Sequence, residues 1–264
     1  MTLGDRADAN LLELCELGQE RLMAMEYIAA EAALVEAEAI AGRRSDWDAL
    51  ARLYLPLQEA RRQRRQRCGE GIVRLDLIAA GPQDHLDGRR IANEFPHGQL
   101  LIAGWGTIEP ARQLRAEQTR RGLYVETFLA AAYPVDGSIA VVIVPLELSP
   151  LPPMRPRSVT ELIAAAGPAS MVHPIAALPN GPARGTAATY ERVMEMWERL
   201  HRPFLKAADA RADPLARIDA YRQTIEVDYA CELAHQNLAA TARDLVRSAS
   251  PIARRTEPPP RSSP

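Results

Sequence analysis

Residues 100–128 decide the fold, and they read LLIAGWGTIEPARQLRAEQTRRGLYVETF. A short apolar run at residues 100–103 ends in two closely spaced glycines, and residues 108–121 then follow a helical pattern. Gly122 is a typical helix stop, and residues 123–128 are again β-prone. A strand, a helix and a strand in this order predict an α/β unit whose sheet is parallel in part.

Further β-prone segments lie on both sides of this stretch. Residues 72–78 and 138–144 are two more strand candidates, so we expect the α/β unit to span residues 70–148. Residues 149–185 are rich in proline and glycine. They predict an extended connector with one short helix at residues 159–166.

Helical patterns occupy both ends of the chain. Residues 8–68 predict a helical hairpin that is interrupted at residues 42–45, and residues 187–247 predict three further helices. Residues 248–264 consist largely of Pro, Arg and Ser and are expected to be disordered. The expected fold class is therefore mixed, helix-rich α/β, with a small sheet unit between two helical hairpin regions.

Composition and charge exclude several classes of protein. The 264 residues are 47% hydrophobic and 25% charged, which is ordinary for a globular protein. The net charge of -2 argues against a surface tuned to nucleic acid or to an anionic membrane. No signal-peptide pattern and no apolar run of about 18 residues is visible, so we expect a cytoplasmic protein without a membrane span.

Cysteine and histidine spacing predicts neither a disulfide framework nor a metal site. The three cysteines lie far apart, and the five histidines show no HxxxH, HxH or HExxH spacing. We therefore expect no metal and no cofactor.

The sharpest run of charge is RRQRRQR at residues 61–67. On a helix these arginines point in nearly all directions, so they do not form one clean binding stripe. We interpret the run as a solvated helix end, with a contact to nucleic acid or to an acidic partner as the alternative. The near absence of lysine, with Lys206 alone, is typical of a bacterial-like arginine bias rather than of a binding task.

Residues 213–247 carry the pattern of a helical repeat. Tyr221 stands where a second repeat helix has its bulky aromatic residue, and Leu238 and Ala239 stand at the Leu-Gly positions of the following first helix. His235 takes the position of the leading Trp. The segment resembles the tetratricopeptide repeat, which packs two helices in each unit of about 34 residues.

This resemblance is partial. Arg217 replaces the usual small residue, and Tyr229 replaces the usual closing Pro. A shorter match, WDALARLY at residues 47–54, reproduces the W-x2-L-G-x2-Y pattern with Ala51 in place of Gly, within the segment 27–57. The spacing of the two matches is not a multiple of the repeat length, so they do not form one uninterrupted array.

The resemblance implies a protein that binds a partner segment. In such repeats the first helices face the concave surface, which places Gln236, Asn237 and Arg243 on the predicted partner-binding face. A non-catalytic scaffold is the first functional hypothesis, and the partner is a protein or a second copy of this chain.

The second hypothesis is a small-ligand sensor or an enzyme with its site at the strand ends. Gly104 and Gly106 lie between a strand and a helix, although the full G-x-G-x-x-G is absent. Glu126 is an acid within a predicted strand, which we interpret as an outward-facing or edge residue, with a role in a site as the alternative. These three residues are the candidate ligand-binding set, and no catalytic residues are assigned. A structural subunit of an oligomer is the third hypothesis.

Overall fold

The computed structural model describes residues 3–249, with side chains described from residue 10 onward. The predicted tail at 248–264 lies, apart from its first two residues, outside the described residues. The helices of the described range are α1 (Leu3–Met23), α2 (Tyr27–Arg43), α3 (Trp47–Gly69), α4 (Gly88–Glu94), α5 (Glu109–Arg121), α6 (Val159–Ala166), α7 (Ala187–Asp209), α8 (Pro214–Val227) and α9 (Glu232–Ala249).

The strands of the described range are β1 (Ile72–Ile78), β2 (His97–Trp105), β3 (Tyr124–Val135), β4 (Ser138–Val144), β5 (Met171–Pro174) and β6 (Ala183–Arg184). They form one mixed sheet in the order β5-β4-β3-β2-β1-β6. The neighbouring strands β1, β2 and β3 are parallel, and the other three pairings are antiparallel. The predicted fold class, mixed α/β with helices at both ends of the chain, is confirmed.

Helices cover both faces of this sheet. Successive side chains of a strand point to opposite faces, and the two apolar cores divide the residues of β2 in this alternating way. Leu100 and Ile102 belong to a core that includes residues of α4, α5 and α6. Leu101 and Ala103 belong to a second core that includes residues of α7. Burial on both faces explains why β2 and β3 are almost continuously apolar.

The ends of α5 follow the predicted signals. Glu109 and Pro110 stand in its first turn. Gly122 adopts the left-handed conformation with φ 60° and ψ 45°, and Leu123 N donates to Gln118 O at 3.0 Å beyond it. The chain enters β3 directly after this stop. The segment from β2 through α5 to β3 is the second of the two parallel crossover connections.

Several elements differ from the sequence prediction. The predicted N-terminal hairpin is a set of three helices, because the chain also breaks at residues 24–26, where Met25 has φ 60°. Residues 88–94 form the short helix α4, and the Asp87 side chain caps it by accepting hydrogen bonds from the Arg89 and Arg90 amides. The connector at residues 149–185 contains β5 and β6, which are too short to show a period-two pattern.

The chain divides into two compact units by internal contacts. The helical unit comprises the described parts of residues 1–60, 208–222 and 232–264, and the sheet unit comprises residues 61–207 and 223–231. The helical unit thus contains residues from both predicted helical regions. Residues predicted as one hairpin, 8–68, are divided between the two units.

Within the helical unit, the N-terminal and C-terminal helices are in direct contact. Gln58 Nε2 donates to Glu232 Oε2 at 3.2 Å. Arg222 of α8 donates to the Tyr54 hydroxyl at 3.3 Å and lies 3.5 Å from Glu38 Oε1. Helices from both predicted helical regions therefore belong to one compact unit.

Gly98 provides a test of the sheet register. It pairs with Ile72 across β1 and β2, has φ 149°, and an added Cβ would lie 2.0 Å from the Ile72 carbonyl oxygen. We expect Gly98→Ala to lower the free energy of unfolding by about 3 kcal/mol in urea denaturation. Gly81→Ala is the control, since no atom lies within 4 Å of its added Cβ. Equal stability of the two variants would contradict this register.

Candidate functional site

The arginine run at the end of α3 is only in part a solvated helix end, because Arg62 and Arg67 are exposed but two other arginines are buried. Arg61 and Arg65 are only 8% and 2% exposed, so that interpretation is wrong for both residues. They are four positions apart on one face of α3, and they continue the stripe of the buried residues Leu57 and Cys68. The helix therefore turns the same face inward beyond its apolar half, and that face becomes cationic.

Arg65 forms two buried ion pairs in the sheet unit. Its Nε donates to Glu126 Oε1 at 2.7 Å, and its second terminal nitrogen lies 2.7 Å from Asp228 Oδ1. All three side chains are at most 3% exposed. Gln99 Nε2 donates to the other Glu126 oxygen at 2.7 Å. Glu126 is thus an inward-facing residue with two partners, which corrects the outward-facing interpretation.

Aromatic rings enclose the guanidinium group of Arg65. Its central carbon lies 5.1 Å from the ring centroids of both Trp197 and Tyr229. Trp197 in turn stacks on Phe128 of β3, with ring centroids 4.3 Å apart. Cation–π contacts gain strength when they are shielded from water. These rings therefore add to the stabilisation of the charge that the two carboxylates provide.

His201 completes this network. Its Nδ1 lies 2.6 Å from Asp228 Oδ2. Burial by itself lowers the pKa of His201, but hydrogen bonds to Asp228 and Cys231 and the charge of Asp228 raise it to about 9. Burial likewise opposes the ionisation of Asp228, yet Arg65 and His201 hold its pKa well below the usual range. Within this network the charges of Arg65 and protonated His201 therefore balance those of Asp228 and Glu126.

His201, Asp228 and Cys231 are also the residues of the described range that could hold a metal ion. Their donor atoms lie within 4.8 Å of one another. Both Asp228 oxygens, however, already have partners. Oδ1 contacts Arg65 and accepts the Ala230 amide, and Oδ2 faces His201. Each oxygen of Asp228 thus has a protein partner, and the absence of a metal stays a prediction.

The structure does not bring the predicted ligand-binding residues together. Gly104 and Gly106 lie at the carboxyl end of β2, whereas Glu126 pairs with Gln99 near the amino ends of β2 and β3. Gly106 N donates to Ala132 O at 2.8 Å, so this amide is already used. The two glycines form a tight strand-to-helix turn without a free amide at Gly106.

The predicted partner-binding residues lie on α9 of the helical unit. Gln236 and Arg243 are exposed and seven positions apart, hence on the same face of the helix. Asn237 is half-buried, and its amide donates to Asp209 Oδ1 at 3.4 Å. The Arg243 Nε–H is directed to Ala239 O at 3.1 Å.

A groove between α1 and α3 is a further surface feature of the helical unit, and sequence reasoning did not identify it. This α1–α3 groove has a volume of about 440 Å³. Leu34 is its fully buried floor, and Leu12 stands 61% exposed on its wall. The lining residues are Leu11, Leu12, Cys15, Glu16, Gln19, Leu34, Asp46, Ala49, Arg52, Leu53 and Pro56.

No family model, no curated protein and no solved structure matches this chain. No helix within residues 3–249 is both long enough and apolar enough to cross a lipid bilayer.

Removing the charge of Arg65 tests the buried network. We expect Arg65→Met to lower the free energy of unfolding by about 3–5 kcal/mol, because Glu126 and Asp228 would lose their common cation. Arg67→Met is the matched control on the same helix, since the Arg67–Glu70 pair is exposed and should contribute about 1 kcal/mol or less. Similar urea midpoints for both variants would show that the buried ion pairs of Arg65 are not needed for stability.

The pH dependence of stability tests His201. Its folded-state pKa of about 9 exceeds the ordinary 6.5. The stabilisation of the folded state by protonated His201 is therefore complete below pH 6.5, and it is lost as the pH rises through 9. The full loss is about 3 kcal/mol, with most of it expected between pH 7 and 9.

In His201→Gln this fall in the free energy of unfolding should be nearly absent over the same interval. Urea denaturation at pH 7, 8 and 9 compares the two proteins. Parallel curves for the wild type and the variant would contradict the assignment of the protonated imidazole to this network.

Proposed function

We propose that this protein is a non-catalytic scaffold whose helical unit binds a partner segment in the α1–α3 groove. The observation that carries the proposal is the groove itself, which combines a leucine floor with an exposed leucine wall. Monomeric proteins keep contiguous apolar surface small unless it is used for binding. Leu17 on α1 and Leu55 on α3 are also 39% and 47% exposed, which extends the apolar character of the two helices.

The charges at the groove favour a particular kind of partner. Glu16 and Asp46 are acidic lining residues, while Arg52 already pairs with Asp48 at 2.6 Å. The remaining charge of the lining is therefore negative. A segment with two or three apolar anchor residues flanked by Arg or Lys would complement it, as in other helix-in-groove complexes.

The buried network supports binding rather than catalysis. Arg65 and Asp228 have exposed fractions of 3% and 1%, so a substrate does not reach them in this conformation. Their charges form an ion pair with each other. The three cysteines are free thiols, which is typical of a reducing compartment and supports a cytoplasmic location.

A selection of peptides from a random library against the full chain tests the proposal. We expect the enriched peptides to contain apolar anchors with flanking basic residues, and to protect Cys15, which is half-buried in the groove, from alkylation. Leu12→Glu should weaken peptide binding by at least about tenfold, since a carboxylate would then face the apolar anchor. Leu215→Glu is the control, because Leu215 is 49% exposed on α8 and does not line the groove.

Two results would contradict this assignment. Peptides that bind Leu12→Glu and wild type equally would place the binding surface elsewhere. Loss of binding in Gln236→Ala/Arg243→Ala, with Leu12→Glu unaffected, would favour the predicted surface on α9 instead. A library that yields no binder, together with a stable oligomer in sedimentation experiments, would favour the structural-subunit hypothesis.

A further inference from the structure

A second site lies in the sheet unit, at the carboxyl ends of the parallel strands. This edge cleft has a volume of about 810 Å³, within the range of small-molecule sites. Open α/β sheets bind ligands outside the carboxyl ends of their strands. The cleft is lined by Ala80, Trp105, Pro134, Val135, Asp136, Gly137, Ser138, Ile139, Met154, Arg155, Pro156, Arg157 and Ile175.

One wall of the edge cleft is the connector segment at residues 152–157, which is anchored at both ends. The Tyr133 hydroxyl, at the end of β3, donates to Pro152 O at 3.1 Å. At the other end, Arg157 N donates to Glu161 Oε2 at 2.7 Å, at the start of α6. The connector is therefore fixed to the sheet and to α6 before any ligand arrives.

Gly106 lets the middle of this segment approach β2. It has φ 62°, and an added Cβ would lie 1.7 Å from the Met154 sulfur. The positive φ favours glycine at this turn, and the short distance shows how closely the Met154 side chain approaches it. Arg155 follows Met154 in the chain and also lines the cleft.

The lining chemistry of the edge cleft is cationic and aromatic. Arg155 and Arg157 are exposed, and neither forms an ion pair within residues 10–249. Trp105 is half-buried, packs against the core that includes α7, and also lines the cleft. Asp136 and Ser138 bring hydrogen-bonding groups from the tight β3–β4 turn.

We propose that the edge cleft binds a nucleoside phosphate. Arg155 and Arg157, which are separated by one residue, can bind a phosphate dianion through charge-assisted hydrogen bonds. The partly exposed ring of Trp105 can stack on a base. Asp136 and Ser138 suit the hydroxyl and amino groups of the nucleoside. The Gly106 amide is already bonded to Ala132 O and does not cradle an anion. The arginine side chains therefore hold the phosphate. This site is independent of the α1–α3 groove.

Calorimetric titration of the full chain tests this site with three probes: AMP, adenosine and inorganic phosphate. We expect AMP to bind with a micromolar Kd, and adenosine and phosphate to bind at least about tenfold more weakly, because each lacks one of the two recognised parts. Arg155→Gln/Arg157→Gln should weaken AMP binding by at least about tenfold. Trp105→Leu should weaken it as well, whereas Trp105→Phe keeps a ring and should retain most of the affinity.

Arg192→Gln is the control, because Arg192 is an exposed arginine on α7 that does not line the cleft. Absence of AMP binding at about 1 mM would overturn the proposal. Equal affinities for AMP and phosphate would overturn the nucleoside part, since arginines alone would then account for binding. Equal AMP affinity in the double arginine variant and the wild type would exclude this location.

Discussion

The ion pairs of Arg65 are the constraint on which the sheet unit depends. An isolated charge in a protein interior is prohibitively costly, so Arg65 is tolerated only with its carboxylates in place. Glu126 comes from β3, and Asp228 comes from the turn after α8. The cation therefore specifies which strand, which helix face and which turn must meet. His201 adds a proton that balances the second carboxylate, which links this packing to pH.

The burial of the Arg65 network limits where a functional site can lie. Ionisable groups that elsewhere would suggest a catalytic site are engaged with one another and are shielded by Trp197 and Tyr229. The proposed binding sites lie instead at two surfaces: the apolar α1–α3 groove of the helical unit and the cationic edge cleft of the sheet unit. A partner segment is the proposed ligand of the first surface, and a nucleoside phosphate is the proposed ligand of the second.

Elements that depend only on neighbouring residues could be predicted from the sequence. The strands at residues 72–78 and 138–144 and the stop at Gly122 depend on nearby residues alone, and the structure places them as predicted. The ion pairs of Arg65 join residues that are at least 61 positions apart, for which no local pattern exists. One signal was present: Arg61 and Arg65 continue the stripe of Leu57 and Cys68 at helical spacing. The lining of the edge cleft comes from segments between residues 80 and 175, and only the folded chain reveals that they meet.

A double-mutant cycle on Arg65→Met and Glu126→Gln measures the central interaction most directly. The cycle removes each partner alone and then both, so that the coupling between the two side chains is separated from the cost of each substitution. Urea denaturation at pH 7 should give a coupling free energy of about 2–3 kcal/mol, with the double variant more stable than the two separate losses would predict. A coupling below about 0.5 kcal/mol would show that the two charges act independently, and it would contradict the role assigned to this pair.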